Sequence, residues 1–143
     1  MRYFDRLQPL ALLVLRIALG VVMIAHGYPK VFGGTQQVVH MISSLGLPGW
    51  MAYLVAAAEF FGGICVLVGL FTRFAALTIF IDMSVAIWKV HFKNGLLGPA
   101  GYEYPLALAA IAFALIFLGG GPMALDHIRG SAGRGWAGKA KKS

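Results

Sequence analysis

Cysteine occurs once in this 143-residue chain, at Cys65 inside an apolar run. One thiol forms neither an intramolecular disulfide nor a C-x-x-C redox pair, so dithiol chemistry by this chain alone is excluded. It cannot supply the cysteine set of an iron–sulfur cluster, and no haem-ligand pattern or flavin fingerprint accompanies it. Cys65 is expected to be a small core residue. Charge is scarce as well: Asp, Glu, Lys and Arg make up 12% of the residues, and only five are acids. Soluble domains carry about 25% charged residues. Apolar residues take their place, at 59% of the chain with a mean hydropathy of +0.80. That balance belongs to a membrane protein, and the length allows one domain.

The formal charge of +7 raises nucleic acid as a partner. However, the basic residues sit at the ends of apolar runs and in the C-terminal tail, not on one face that a groove could meet. Their placement fits anionic lipid headgroups, so membrane lipid is the expected partner and nucleic acid is not.

The runs predict an all-α fold, an integral membrane four-helix transmembrane bundle with spans at about 7–27, 50–70, 73–91 and 103–125. A cleaved secretory signal is rejected, because Arg16 interrupts the first run and no small-x-small site precedes Gly27. Within the long connection 27–49, Thr35 opens a short helix. Its residues Val38, Met41, Ile42 and Leu45 share a face, which predicts an interfacial helix ended by Gly46 and Pro48, with His40 toward water or headgroups. Pro105 suits a first helical turn, and the run Gly119-Gly120-Gly121-Pro122 should break the last helix. Residues 1–126 thus read as the membrane domain and 127–143 as a basic tail, expected to be disordered in water and attracted to acidic lipid. Arg2, Arg6, Arg73, Arg129, Arg134, Lys139, Lys141 and Lys142 fall on one side of such a bundle, against Lys30, Lys89 and Lys93 on the other. The positive-inside rule then places both termini in the cytoplasm and the interfacial helix in the first outer loop.

Three charges lie deep in the spans. Arg16, Glu59 and Asp82 each stand nine residues in from the starts of their spans at Leu7, Trp50 and Arg73. At 1.5 Å per residue each is roughly 14 Å into a hydrocarbon core about 30 Å thick. An isolated Arg there costs at least about 2.5–3.5 kcal/mol, so Arg16 is expected to face Glu59, Asp82 or both. The two acids would titrate as a coupled pair. Arg16, Glu59, Asp82 and Arg73 are read as a charge network that pins helix register, carries protons or binds a polar ligand. Ala56, Glu59 and Gly63 share a helical face, with Gly62 beside it, and small residues there allow close helix approach.

A second cluster is expected at the outer ends of the spans. Trp88, Tyr102 and Tyr104 suit interface anchoring, and Lys89 can snorkel outward. His26, His91 and Glu103 are candidate catalytic residues beside Glu59, Asp82 and Arg16, since a histidine near neutral pH can protonate an oxygen at the membrane surface. His26, Lys30, Trp88, Lys89, His91, Tyr102 and Glu103 are the candidate ligand contacts. No H-x-x-x-H or H-E-x-x-H spacing accompanies the histidines, and no metal is expected.

The run RIALGVVMIAHGYPK resembles the first block of the DoxX family of small four-helix membrane proteins. EFFGGICVLVGLFTR resembles its second block, IDMSVAIWKVH with KNG its third, and GYEYPLALAA with GGGPMALD its last. The resemblance covers most of residues 16–126. It implies a bundle in the bacterial inner membrane and draws attention to Arg16, His26, Lys30, Glu59, Arg73, Asp82, His91, Glu103 and Asp126. The family takes its name from a subunit associated with a quinol-oxidising, thiosulfate-linked complex, and some relatives are linked to oxidative-stress complexes. The expected function is therefore a redox-associated subunit binding a quinone-like or other small lipophilic ligand in a polar pocket of the bundle. With no cofactor motif of its own, such a subunit would receive electrons through a partner protein or its substrate. Alternatives are a non-catalytic assembly or stress-response subunit, with a partner protein or a homo-oligomer, and a small transporter or proton pathway.

Overall fold

A computed structural model describes residue 4 and residues 6–130. The tail expectation for 131–143, with Arg2 and the basic residues of that tail, lies outside the described residues. The main α-helices among the described residues are, in order, α1 Gln8–Phe32, α2 Thr35–Ser44, α3 Met51–Val68, α4 Thr72–Ala86 and α5 Glu103–Leu118. Helix α4 continues through a π-helical turn, Ile87–His91, and a 3-10 turn, Phe92–Asn94. Another helical stretch covers 125–130, and no strand occurs among the described residues. Among the described residues three helical segments, Gln8–Phe32, Met51–Val68 and Thr72–Asn94, are long and apolar enough to cross a membrane. Helix α5 is equally apolar but has 16 residues, about 24 Å of rise.

Two expected boundaries move. Helix α1 runs on from the expected end at 27 to Phe32, through Pro29. Gly27 is a packing residue there and does not stop the helix: a Cβ at that position would clash with the Phe60 backbone. The helix stops at Gly33, whose N–H donates to the Pro29 carbonyl at 2.8 Å. Helix α5 ends at Leu118 instead of 125, because Gly119 adopts a φ of 73° that a continuing helix forbids. Helix α2 begins at Thr35 as expected, but its buried face is narrower. Val38 and Ile42 pack with Ala52 of α3, while Met41 is 44% exposed and His40 is exposed.

The glycines of α1 and α3 set the register of the bundle. A Cβ on Gly20 would meet Leu67, one on Gly63 would meet Ile24, and one on Gly27 would meet Phe60. The falling partner numbers describe an antiparallel pair whose backbones touch. Helices α3 and α4 are also antiparallel, with Gly62 against Ile79 and Thr78. Leu19, Met23, Val66, Ala76, Ile79, Ala112 and Leu115 form the main core between α1, α3, α4 and α5. This arrangement puts the start of α1, the α3–α4 turn and the loop after α5 at one end, the loop end.

Candidate functional site

At the loop end, Arg16 does not meet the two acids. Its guanidinium is buried and donates to four carbonyls: Nε to Val66 at 3.0 Å, Nη2 to Leu67 at 2.9 Å, and Nη1 to Gly120 at 3.1 Å and Met123 at 3.0 Å. It thereby caps the C-terminus of α3 and ties the loop after α5 to α1. Two physical facts undo the expectation of equal depth. Helix α1 has 25 residues and α3 has 18, so equal counts from their starts are not equal heights. A helical side chain also leans toward its own N-terminus, which carries the Arg16 head further toward the loop end. The acid within its electrostatic reach is Asp126. Arg73 is exposed beside Gly119 and joins no network with Glu59 or Asp82.

Asp126 holds the α3–α4 turn. Phe71 sits at a φ of 48°, unusual for a residue with a side chain. The Asp126 carboxylate accepts from the Phe71 N–H at 2.8 Å, the Thr72 N–H at 2.8 Å and the Thr72 hydroxyl at 2.9 Å. It is an N-cap for α4 supplied from the far end of the chain. Partial burial pushes this carboxyl up, but the Thr72 and Phe71 donors and Arg129 together bring it below the usual carboxylate range. Its contribution to stability is therefore complete above the unfolded value of about 3.9 and is lost as pH falls through the lower folded value. Asp126→Ala is expected to cost about 1–2 kcal/mol at neutral pH, with the difference from wild type vanishing in acid. Thermal unfolding in detergent at neutral and acid pH measures both.

The second charged site lies within the bundle. Glu59 is on the buried face of α3 with Ala52, Ala56, Gly63 and Val66, and is 4% exposed. Asp82 comes from α4 at the same level, because the antiparallel pair sets Gly62 against Ile79 three residues earlier. Asp82 interacts electrostatically with Glu59 and with Lys30. Lys30 Nζ donates to Glu59 Oε1 at 2.5 Å. The charged cluster of the interior is thus Lys30, Glu59 and Asp82, with Lys30 in the place expected for Arg16. One signal pointed to it. Arg16, Gly20, Met23 and Gly27 recur at spacings of four and three, and Lys30 extends that buried face. Ending the helix at Gly27 hid the repeat. Glu59 Oε2 and Asp82 Oδ2 are buried, on carboxyls that hydrogen-bond to each other, an arrangement that needs one proton shared between them.

Asp82 also reaches the wall of a groove of about 600 Å³ between α3 and α4. Leu54, Ala58, Phe61, Cys65 and Phe74 contribute to a lining that is otherwise almost wholly apolar. Cys65 is partly buried on this wall, not sealed in the core.

The outer-end candidates do not converge. His26 Nδ1 donates to the Val22 carbonyl of its own helix at 2.9 Å, and its ring lies 5.9 Å from that of Tyr104. His91 Nδ1 donates to the Ala100 carbonyl at 2.9 Å, which Asn94 also engages at 3.1 Å. Glu103 is exposed in the first turn of α5. Among the described residues no three His, Cys, Asp or Glu side chains could hold a metal ion. Trp88 is 70% exposed with Lys89 Nζ 4.4 Å over its ring, and Tyr102 stacks on Phe92 at 6.0 Å. These contacts suit anchors and loop closure rather than a shared ligand site.

Apolar helices packed through glycines around a partly buried lysine–carboxylate cluster define a polytopic helical membrane protein with a charged interior site. The DoxX family profile matches residues 11–92, and the chain belongs to that family. It is 37% identical over 103 residues to the putative oxidoreductase CatD of Bacillus subtilis, covering 72% of this chain and 76% of that protein. It is 32% identical to the inner membrane protein YphA of Escherichia coli, over 89% of this chain and 97% of the relative. It is 39% identical to the inner membrane protein YqjF of the same species, over 63% of this chain and 70% of the relative. No solved structure matches significantly. The chain is a multi-pass protein of the bacterial inner membrane.

Proposed function

We propose that the protein is a redox-associated inner-membrane subunit that holds a quinone-like or other small lipophilic ligand in the α3–α4 groove. The observation that carries this reading is the pairing of an apolar groove of about 600 Å³ with one carboxyl, Asp82, on its wall. Such sites are largely apolar with a few polar groups that orient the ligand. Glu59 and Lys30 stand behind Asp82 and supply charge and protons without lining the groove. The name of the Bacillus relative, a putative oxidoreductase, supports the redox association. In this reading residues 1–126 are one domain crossing the membrane four times, with α5 as the fourth span. Both termini are cytoplasmic and α2 lies along the outer interface. Trp88, Lys89, Tyr102, His26, His91 and Glu103 then sit at the outer surface, outside the ligand groove.

The sole cysteine reports on the groove directly. In proteoliposomes, a short-chain quinone is expected to slow labelling of Cys65 by N-ethylmaleimide several-fold in a saturable manner. Labelling that stays unchanged up to the solubility limit of the quinone removes this reading.

A further inference from the structure

The hydrogen bond between Glu59 and Asp82 holds a proton, because two ionised carboxylates offer only acceptors to each other. Each carboxyl has a second neighbour. Asp82 reaches the groove wall, and Glu59 Oε1 accepts from the Lys30 ammonium. Lys30 lies in the last turn of α1 and keeps 23% of its side chain exposed, against 5% for Glu59. The contacts therefore run from the groove, through the pair, to the surface at the end of α1. Toward the loop end no such chain exists among the described residues. Leu19, Met23, Val66 and Ile79, none more than 1% exposed, stand between the pair and Arg16 along α1, α3 and α4. The other neighbours bring no charge to the pair: α5 has no ionisable side chain after Tyr104, and Lys89 is turned over Trp88.

We infer that Glu59 and Asp82 form a proton-exchange site with access from one end. A ligand oxygen in the groove trades protons with Asp82, and the pair trades them with water through Lys30. The inference rests on the groove reading for its ligand, and deepens it by naming the carboxyl that serves the ligand and the end that supplies the proton. In the transfer, Asp82 gives its O–H proton to the ligand oxygen. The Lys30 ammonium returns one to the pair through Glu59 Oε1, and the neutral amine takes one from water. Only protons move in these steps; the electrons of a quinone come from a partner protein. Before and after, one ammonium faces one shared negative charge, so the interior carries no net charge.

Dicyclohexylcarbodiimide, which partitions into the bilayer, reads that proton directly because it reacts with a protonated carboxyl. The O–H proton goes to one nitrogen, the carboxyl oxygen adds to the central carbon, and an O-to-N shift leaves a stable N-acylurea with nothing lost. The wild-type protein, carrying an N-terminal tag that marks the loop end, is labelled in sealed spheroplasts and in inverted membrane vesicles while only the external pH is varied. Protease access to the tag shows which end faces out. Peptide mass spectrometry should place the label on Asp82. Its rate should fall at least about threefold from about pH 6 to about pH 9 where the tag is shielded, and change less than about 1.5-fold where the tag faces out. A rate that follows the tagged side, both sides or neither overturns the inference, and so does the absence of label from Asp82. Excess short-chain quinone should block the label. Failure to block, with the one-sided response intact, removes the ligand reading and leaves the proton site standing. The comparison needs no variant to fold.

Discussion

Replacing Arg16 with alanine is expected to destabilise the protein by more than about 3 kcal/mol, enough to prevent its accumulation in membranes. Four carbonyls lose their donor at once: Val66 and Leu67 at the end of α3, and Gly120 and Met123 in the loop after α5. Each buried acceptor left bare costs about 1–3 kcal/mol, reduced where water from the membrane surface reaches it. Arg16→Lys is expected to recover little, because three rotatable N–H groups on one nitrogen cannot span carbonyls that a planar fork reaches from two sides. Detergent-solubilised yield and unfolding temperature measure the effect. An alanine variant that melts with the wild type would show that these four bonds contribute nothing. The result would separate Arg16 from the ligand site, since its partners are backbone atoms at the loop end.

Lys30→Met should cost about 3 kcal/mol by a different route. It leaves Glu59 and Asp82 side by side in the bundle with no counter-charge, and breaking a buried pair from one side is among the more damaging single changes. Adding Glu59→Gln to the same chain is expected to return most of the loss, because the second change removes the charge that the first exposed. The four proteins of that cycle can be compared by thermal unfolding in one detergent. Independent, additive losses would mean that Lys30 and Glu59 do not interact. The cycle also guides ligand work: Lys30→Met with Glu59→Gln retains Asp82 on the groove wall, so binding there can be measured without the buried pair.

The sequence alone determined the class of the protein and one half of its charged site. Composition and run length identify apolar helices because the solvent they must satisfy is hydrocarbon, and that demand is local to each run. Glu59 and Asp82 could be set at one level from the sequence because α3 and α4 are joined by a short turn, which leaves their relative height almost no freedom. The glycine run after Leu118 marks the end of α5 for the same local reason, short of the apolar run that continues to Leu125. Tertiary structure alone decided which cation enters the cluster. That choice depends on how far α1 slides along α3, and the slide is set by Gly20, Gly27 and Gly63 at a contact between residues 40 or so positions apart in the chain. It depends also on the backward lean of helical side chains, which takes Arg16 down to the carbonyls of the loop end and brings Lys30 in to Glu59. The groove was hidden for the same reason: it belongs to neither α3 nor α4 but to the space their packing leaves between them.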